Sequence, residues 1–510
     1  MKINAKQIFD GHAFAGGGTV HLDNARVGRL DLRPQAQGAS LVMPGIIDSH
    51  VHLLGVGTSL QALRLNNCRC RGDFTMALKT YAANYAGEWI TGRGWDQNLM
   101  DFMPDRHFLD QICPDRPVIL NRACGHVAVA NSRALALAGV DANSQGIPGG
   151  VIKRDEAGEP TGILEEKATS LVYRVVPSLS PALLYTALEK AIKYAYSCGI
   201  TGVQTDDLGA VGNYGTLWEL YTKVTEANPI RAQLHHRTSS AESLKEFIRA
   251  KGELQDTAFI YAGAAKLLLD GSLGARTAAL LEDYYDDPGN KGVLIFSDDE
   301  LRKIFTIAED NGVQLAMHTI GDAALAQALR LLNEVRGGYS RGQIMHRVIH
   351  CQVATKIQLE QMAALGMMAE IQPGFLPTDM RWAEDRLGPE RLQSSYCWRS
   401  MAEAGLFLTG GSDAPVEDIN PWLGIAAAVT RKNGEGTYAS SWHRDESLTL
   451  AETLALYTLY PAKLAGWQDL GSIKPGMRGD IGIYKHFDGE NLAGTQPDQV
   501  LVDGTIVYQR

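Results

Sequence analysis

From about residue 182 the chain settles into a rhythm that few architectures satisfy. Short apolar runs alternate with amphipathic stretches: GITGVQT, IRAQLHH, AGAAKLLLD, GVQLAMH, RVIHC, GMMAEIQ and GLFLTGGSD are separated by segments such as AESLKEFIRAKG, DDELRKIFTIAEDNG and ATKIQLEQMAALG. Continuous apolar runs are what parallel strands buried on both faces require, and the amphipathic stretches have helical period. Seven runs, with the earlier PGIIDSHVH, make eight. Eight βα units predict an α/β fold, a closed (β/α)8 TIM barrel. An open, doubly wound sheet is the structural alternative.

The two chain ends follow a different rhythm. Residues 1–43 are short polar–apolar alternations broken by glycine, and residues 459–510, with GDIGIYKHF and DQVLVDGTIVYQR, look similar. Hairpin signals such as Asp503-Gly504 support short strands. Both ends together predict a small β-sandwich domain. The barrel would then comprise 44–64 and 182–458. Residues 65–181, inserted after the first barrel strand, are too long for a plain connection. They carry their own strand, PVILNRA, and the aromatic stretch GRGWDQNLMDFMP, and are read as a lid over the barrel mouth.

Composition excludes several classes. A net charge of -10 without a basic cluster argues against nucleic acid as a partner. The N-terminus lacks an apolar core of signal-peptide length, and no run of about 18 apolar residues predicts a membrane span. The seven cysteines are odd in number and scattered; Cys68 and Cys70 form a weak zinc signal, and reduced thiols in a cytoplasmic protein are the simpler reading. The expected partner is a small-molecule substrate, with homo-oligomer formation left open.

His50 and His52, at i and i+2 on a strand, face the same way. In a barrel they would point inward at the C-terminal end, where barrel active sites lie. Lys266 sits in a strand otherwise too apolar for it. His318 and His350 end their runs, and Asp413 follows GLFLTGGS. Singly, each reads as a hydrogen-bonded buried polar residue. Together, on one rim, they predict a metal centre.

These residues carry a resemblance. PGIIDSHVH, Lys266 before DGSLGARTA, His318 in MHTIGDAA, His350, GSDAPV and the closing GSIKPGMRGDIGIY are similar to the amidohydrolase superfamily, in the branch that includes N-substituted formamide deformylases. The resemblance implies that His50, His52 and Asp413 bind one metal and His318 and His350 a second. It implies that Lys266 is carboxylated and bridges the two. A lysine on an apolar strand has its ammonium form disfavoured, and the neutral amine is what reacts with carbon dioxide; the competing reading is a buried pair with Asp270. The cofactor expected is a divalent metal, zinc foremost, one or two ions per subunit, although the ligand types also suit manganese, iron or cobalt. The implied reaction is hydrolysis of a C–N bond in an amide, N-formyl or carbamate-like substrate by metal-activated water, with Asp413 shuttling the proton.

Further substrate-binding candidates are His126 in LNRACGHVAVAN, Arg276 in LGAR, and Trp95 and Tyr284 as pocket aromatics. Each has a bland reading: His126 as a cap or packing residue, Arg276 as a partner of Asp286, the aromatics as core. Asp322 reads as a helix cap or a support of the His318 loop, and at most one of His235 and His236 faces inward. A deaminase is disfavoured, because His318-Thr-Ile-Gly-Asp322 lacks the Glu of H-x-x-E and strand four carries a lysine. An esterase or isomerase using the same metals stays open. So does a catalytically retired regulatory or binding protein on the same scaffold.

Overall fold

The structure is a computed structural model that describes residues 1–510 except 35, 124, 125, 148, 339–341, 343 and 433–441. Two residues of the segment around His126, 124 and 125, thus lie outside the described residues. The chain divides into two compact units. One comprises Met1–Gly57 and Leu188–Arg510, the other Thr58–Ala187.

The larger unit holds an eight-stranded parallel barrel. Its strands, in chain order, are Ile46–Val51, Ile200–Thr205, Arg231–Arg237, Ile260–Leu268, Leu315–Thr319, Arg347–His350, Met368–Ile371 and Phe407–Gly410, and each pairs with the next. Every residue of the first, second, sixth and seventh strands is buried. That follows from a sheet with side chains packed inside it and helices outside. The crossover helices start where their sequences cap them. Ser297 with Glu300, and Thr355 with Gln358, form reciprocal capping boxes that satisfy the first free amides of their helices.

The eighth strand returns to the first at Gly411. A Cβ there would lie 2.6 Å from the His50 nitrogen, so only glycine allows the approach. Just beyond it, the Asp413 amide donates to the His50 carbonyl at 2.7 Å.

Both chain ends build one seven-stranded sheet. Its order is Thr505–Gln509, Gln499–Val502, Ile481–Tyr484, Leu41–Pro44, Lys2–Phe9, Phe14–Asp23, Arg26–Leu32. Leu41–Pro44 pairs antiparallel with Ile481–Tyr484, which stitches the two ends together. One residue later the chain enters the first barrel strand. Arg231, 1% exposed on the third barrel strand, reaches Asp480 at 3.1 Å and Asp503 at 2.6 Å, an ion-pair tie between barrel and terminal sheet.

The inserted unit has its own six-stranded mixed sheet, which includes Ile90–Trp95 and Val118–Arg122, the predicted PVILNRA strand. Its core gathers Phe74, Trp95, Phe108, Leu109 and Leu120. Among the described residues no helix is long and apolar enough to cross a membrane.

Candidate metal centre

Parallel pairing brings the strand ends to one rim. Leu268 pairs with His318 and Thr319 with His350, so successive strands stagger their last residues into one layer. The barrel mouth of the larger unit thereby gathers His50, His52, Lys266, His318, His350 and Asp413. Asp413 Oδ1 lies 3.2 Å from both His50 Nε2 and His52 Nε2. Lys266 Nζ lies 3.1 Å from His50 Nε2, and His318 Nδ1 lies 2.9 Å from His350 Nε2. The His50 and His350 rings are 5.9 Å apart between centroids. His350 and Asp413 both hold left-handed backbone, φ 73° and 54°. Such residues cost about 1–3 kcal/mol each and persist where the surroundings over-determine them.

The outward nitrogens decide what the inward ones can do. His52 Nδ1–H donates to the Asp206 carbonyl at 2.5 Å. His318 Nε2–H donates to the Gly271 carbonyl at 2.9 Å. His350 Nδ1–H donates to Gln372 Oε1 at 2.6 Å, the amide being turned that way by its own bond to the Glu370 carbonyl. A neutral imidazole carries one proton, so each inward nitrogen is left with a lone pair. Lone pairs thus face the Asp413 carboxylate and each other, with the Lys266 amine beside them.

Protonation does not resolve this crowding at three of the four rings. Burial pushes His50 down to about 3 and His318 to about 4, and holds His350 well below the ordinary histidine value. His52 differs: burial opposes its charge, but the Asp413 and Asp206 carboxylates outweigh burial and raise it. Asp413 is itself held well below the carboxylate range, its burial outweighed by the adjoining His50 and His52 rings. A buried ring of imidazole lone pairs around an ionised carboxylate is a donor set for a divalent cation. His50, His350 and Asp413 each offer a ligand atom within 4.8 Å of the others.

Lys266 is 2% exposed. Burial lowers its amine to about 8, against the opposing pull of Asp206, Asp413 and Glu370. The competing pair with Asp270 is not formed. Asp270 instead accepts the amides of Ile320 at 3.0 Å, Gly321 at 2.7 Å and Ala279 at 3.0 Å, which folds the loop after strand four against the His318 turn.

The remaining candidates fall elsewhere. Trp95 is fully buried in the core of the inserted unit, its indole N–H donating to the Leu120 carbonyl at 2.7 Å, so it packs a core rather than lining a pocket. Tyr284, 1% exposed, spends its hydroxyl on the Ala278 carbonyl and braces its loop. Arg276 forms a two-pronged pair with Asp286, at 3.0 and 2.8 Å, and Arg386 shares the same carboxylate. Arg276 is thus engaged in an ion pair. His126 belongs to the inserted unit, exposed, with Nδ1 3.2 Å from Glu166. Asp322 opens the helix Asp322–Arg336 and accepts the Leu281 amide at 2.9 Å. His235 is fully buried and faces Arg347 at 3.1 Å.

Sequence reasoning passed over the residues behind the candidate ligands. Asp48, two before His50 and so on the same face, accepts the amides of His50 and Ser412, tying strand one to the Asp413 loop. Arg237 clamps the Asp206 carboxylate at 2.6 Å. Glu370 stands alone in the apolar run MMAEI, the same signal that exposed Lys266.

A family model described as the amidohydrolase family matches residues 36–508. The chain belongs to the amidohydrolase family. The Bacillus subtilis amidohydrolase YtcJ is 31% identical to this amidohydrolase, over 100% of this chain and 96% of its own. An N-substituted formamide deformylase of Arthrobacter pascens is 26% identical, over 92% of this chain and 88% of its own. Among solved structures, an uncharacterized metal-dependent hydrolase from Pyrococcus furiosus superposes with a TM-score of 0.76 at 27% identity, covering 96% of this chain and 99% of that one.

Proposed function

We propose that this amidohydrolase cleaves a C–N bond of a small amide, N-formyl or carbamate-like substrate with one or two divalent ions, zinc foremost, in the barrel mouth. One observation carries the reading: three imidazoles whose outer N–H groups are committed to fixed acceptors turn lone pairs inward, around an ionised carboxylate. His50, His52 and Asp413 would hold one ion, His318 and His350 a second. A bound ion supplies a water of lowered pKa and an electrophile for the scissile carbonyl.

The chain's own groups do the rest. Asp413 Oδ1, reached by two imidazoles and set on a constrained backbone, would accept the proton of the attacking water and return it to the departing amine. Lys266 is buried and its amine is lowered to about 8, so a neutral fraction is available near neutral pH. That nitrogen would add to carbon dioxide, forming an N–C bond and releasing one proton, and the carbamate would join the ligand set. The Asp206 carbonyl, the Gly271 carbonyl and Gln372 keep the imidazoles aimed.

The test is metal analysis of the purified protein followed by a screen of N-acyl amines, N-formyl amines, cyclic amides and esters with zinc-loaded enzyme. Zinc uptake with amide turnover is the expected result. A folded protein that takes up no divalent metal would favour a retired binding scaffold, and turnover of esters alone would overturn the C–N assignment. A relative named for deformylation makes N-formyl amines the first compounds to try.

A further inference from the structure

Strand seven of the barrel contributes no ligand in the reading above, yet it places a carboxylate, Glu370, fully buried inside the barrel. A lone buried charge is costly unless it is paired. Its partner is Arg347 from the neighbouring strand, also fully buried, whose Nε donates to Oε2 at 2.8 Å and whose Nη2 lies 2.7 Å from the same oxygen. Arg347 is itself fixed by the Ser49 carbonyl at 3.2 Å, by Gln204 and by His235 Nε2 at 3.1 Å. Oε2 is therefore pinned, and Oε1 is turned the other way, toward His50 Nδ1 at 3.6 Å.

Neither Oε1 nor His50 Nδ1 has a hydrogen-bond partner, and both atoms are buried. At 3.6 Å the contact is electrostatic, longer than a hydrogen bond. A proton on Nδ1 makes it attractive; a lone pair there would face a carboxylate and repel it. His50 thus keeps its proton on Nδ1 and its lone pair on Nε2, the atom beside Asp413 and Lys266. The other three imidazoles are oriented by neutral carbonyl oxygens, His50 by a charge. A carboxylate behind a ligating histidine fixes its tautomer and raises its basicity.

We propose that Glu370, locked by Arg347, is a positioning residue that holds His50 in the cation-binding tautomer. The inference rests on the metal reading of the site and names a residue outside the ligand set. Glu370→Gln tests it sharply. Arg347 can only donate, so the amide oxygen of the glutamine would turn to Arg347 and its NH2 group to His50 Nδ1. His50 Nδ1 must then accept, and the proton moves to Nε2, pointing at the cation position.

The experiment compares zinc stoichiometry and zinc affinity, by competition with a chromophoric chelator, in the full-length parent and in Glu370→Gln. It also reads the ring tautomers of histidine-15N-labelled, metal-free protein by long-range 1H–15N NMR. The expected result is zinc affinity lowered about 10–100-fold, with one ring switching from Nδ1–H to Nε2–H. Unchanged zinc affinity in a folded Glu370→Gln variant would overturn the inference while leaving the metal reading intact. If that variant fails to fold, the parent decides: the His50 resonance, identified by its loss in His50→Gln, supports the inference as Nδ1–H and overturns it as Nε2–H. A parent that binds no zinc would overturn the metal reading and this inference with it.

Discussion

His318 Nδ1 lies 2.9 Å from His350 Nε2, and no proton joins them, because the other nitrogen of each ring is already donating, to the Gly271 carbonyl and to Gln372 Oε1. Two lone pairs at that distance repel unless a cation sits against both. Zinc should therefore bind the folded protein far better than the unfolded chain and stabilise it by mass action. Stripping with a chelator is expected to lower the melting temperature, and graded zinc to restore it. Linkage sets the size at about 2.7 kcal/mol when free zinc is a hundred times its dissociation constant. A melting temperature indifferent to both treatments would mean that the repulsion is relieved some other way.

Asp413 is asked to do two things, hold an ion and carry a proton, and Asp413→Asn separates them. Asparagine keeps the Oδ1 acceptor that faces His50 and His52 but cannot take up the proton. Turnover is expected to fall by about 10²–10⁴, the usual worth of a positioned acid–base group, while much of the zinc stays bound. Parallel metal analysis and kcat on the best amide from the screen would show it. Near-parental kcat in a zinc-replete variant removes Asp413 from proton transfer.

The barrel was readable because parallel strands buried on both faces leave continuous apolar runs, and strand-end histidines stand out against them. The candidate ligands are legible by that contrast. What steers them is not, for a physical reason: His52 and His318 are held by the backbone carbonyls of Asp206 and Gly271, and every residue type carries a carbonyl. Glu370 did leave a mark, a charge in an apolar strand. A lone acid one residue short of a strand end reads equally well as a salt-bridged core residue, and its Oε2 is indeed paired with buried Arg347. Trp95 and Tyr284 misled in the opposite direction. An aromatic ring announces burial, not whether the burial is against a core or a substrate, and both sit in packing positions with their polar atoms already bonded.

Gly411 is where closure of the barrel and placement of His50 meet. An alanine Cβ would lie 2.6 Å from the His50 nitrogen, 2.8 Å from its Cβ and 3.0 Å from its carbonyl oxygen. Two of those atoms are backbone and cannot swing aside, so strand one itself must shift. Gly411→Ala is expected to cost about 1–3 kcal/mol as an overpacking change, read from urea midpoints, and to weaken zinc binding at the same time. Loss of stability with unchanged zinc affinity would show that strand one moves without carrying His50 away from its partners.

The acid limb of stability is expected to be shaped away from the barrel mouth, at Glu309. Its carboxylate meets His346 Nε2 at 2.7 Å and Arg336 Nη2 at 2.6 Å, joining the helix Asp298–Asp310 to the next helix and to the residue before strand six. Burial works against the ionised form, but hydrogen bonds from His346 and Arg336 outweigh it and lower Glu309 from 4.5 to about 2. A carboxylate lowered in the folded state contributes stability that is fully present above its unfolded value and is lost as pH falls through the folded one. The contribution of Glu309 should therefore be complete above about pH 4.5 and fade toward pH 2. Glu309→Gln, which cannot ionise, should be less stable than the parent at pH 6, with the gap narrowing as pH drops to 3 and below. Urea midpoints at pH 6, 4 and 3 measure that gap. A gap constant with pH would mean that Glu309 acts there through packing and not through its charge.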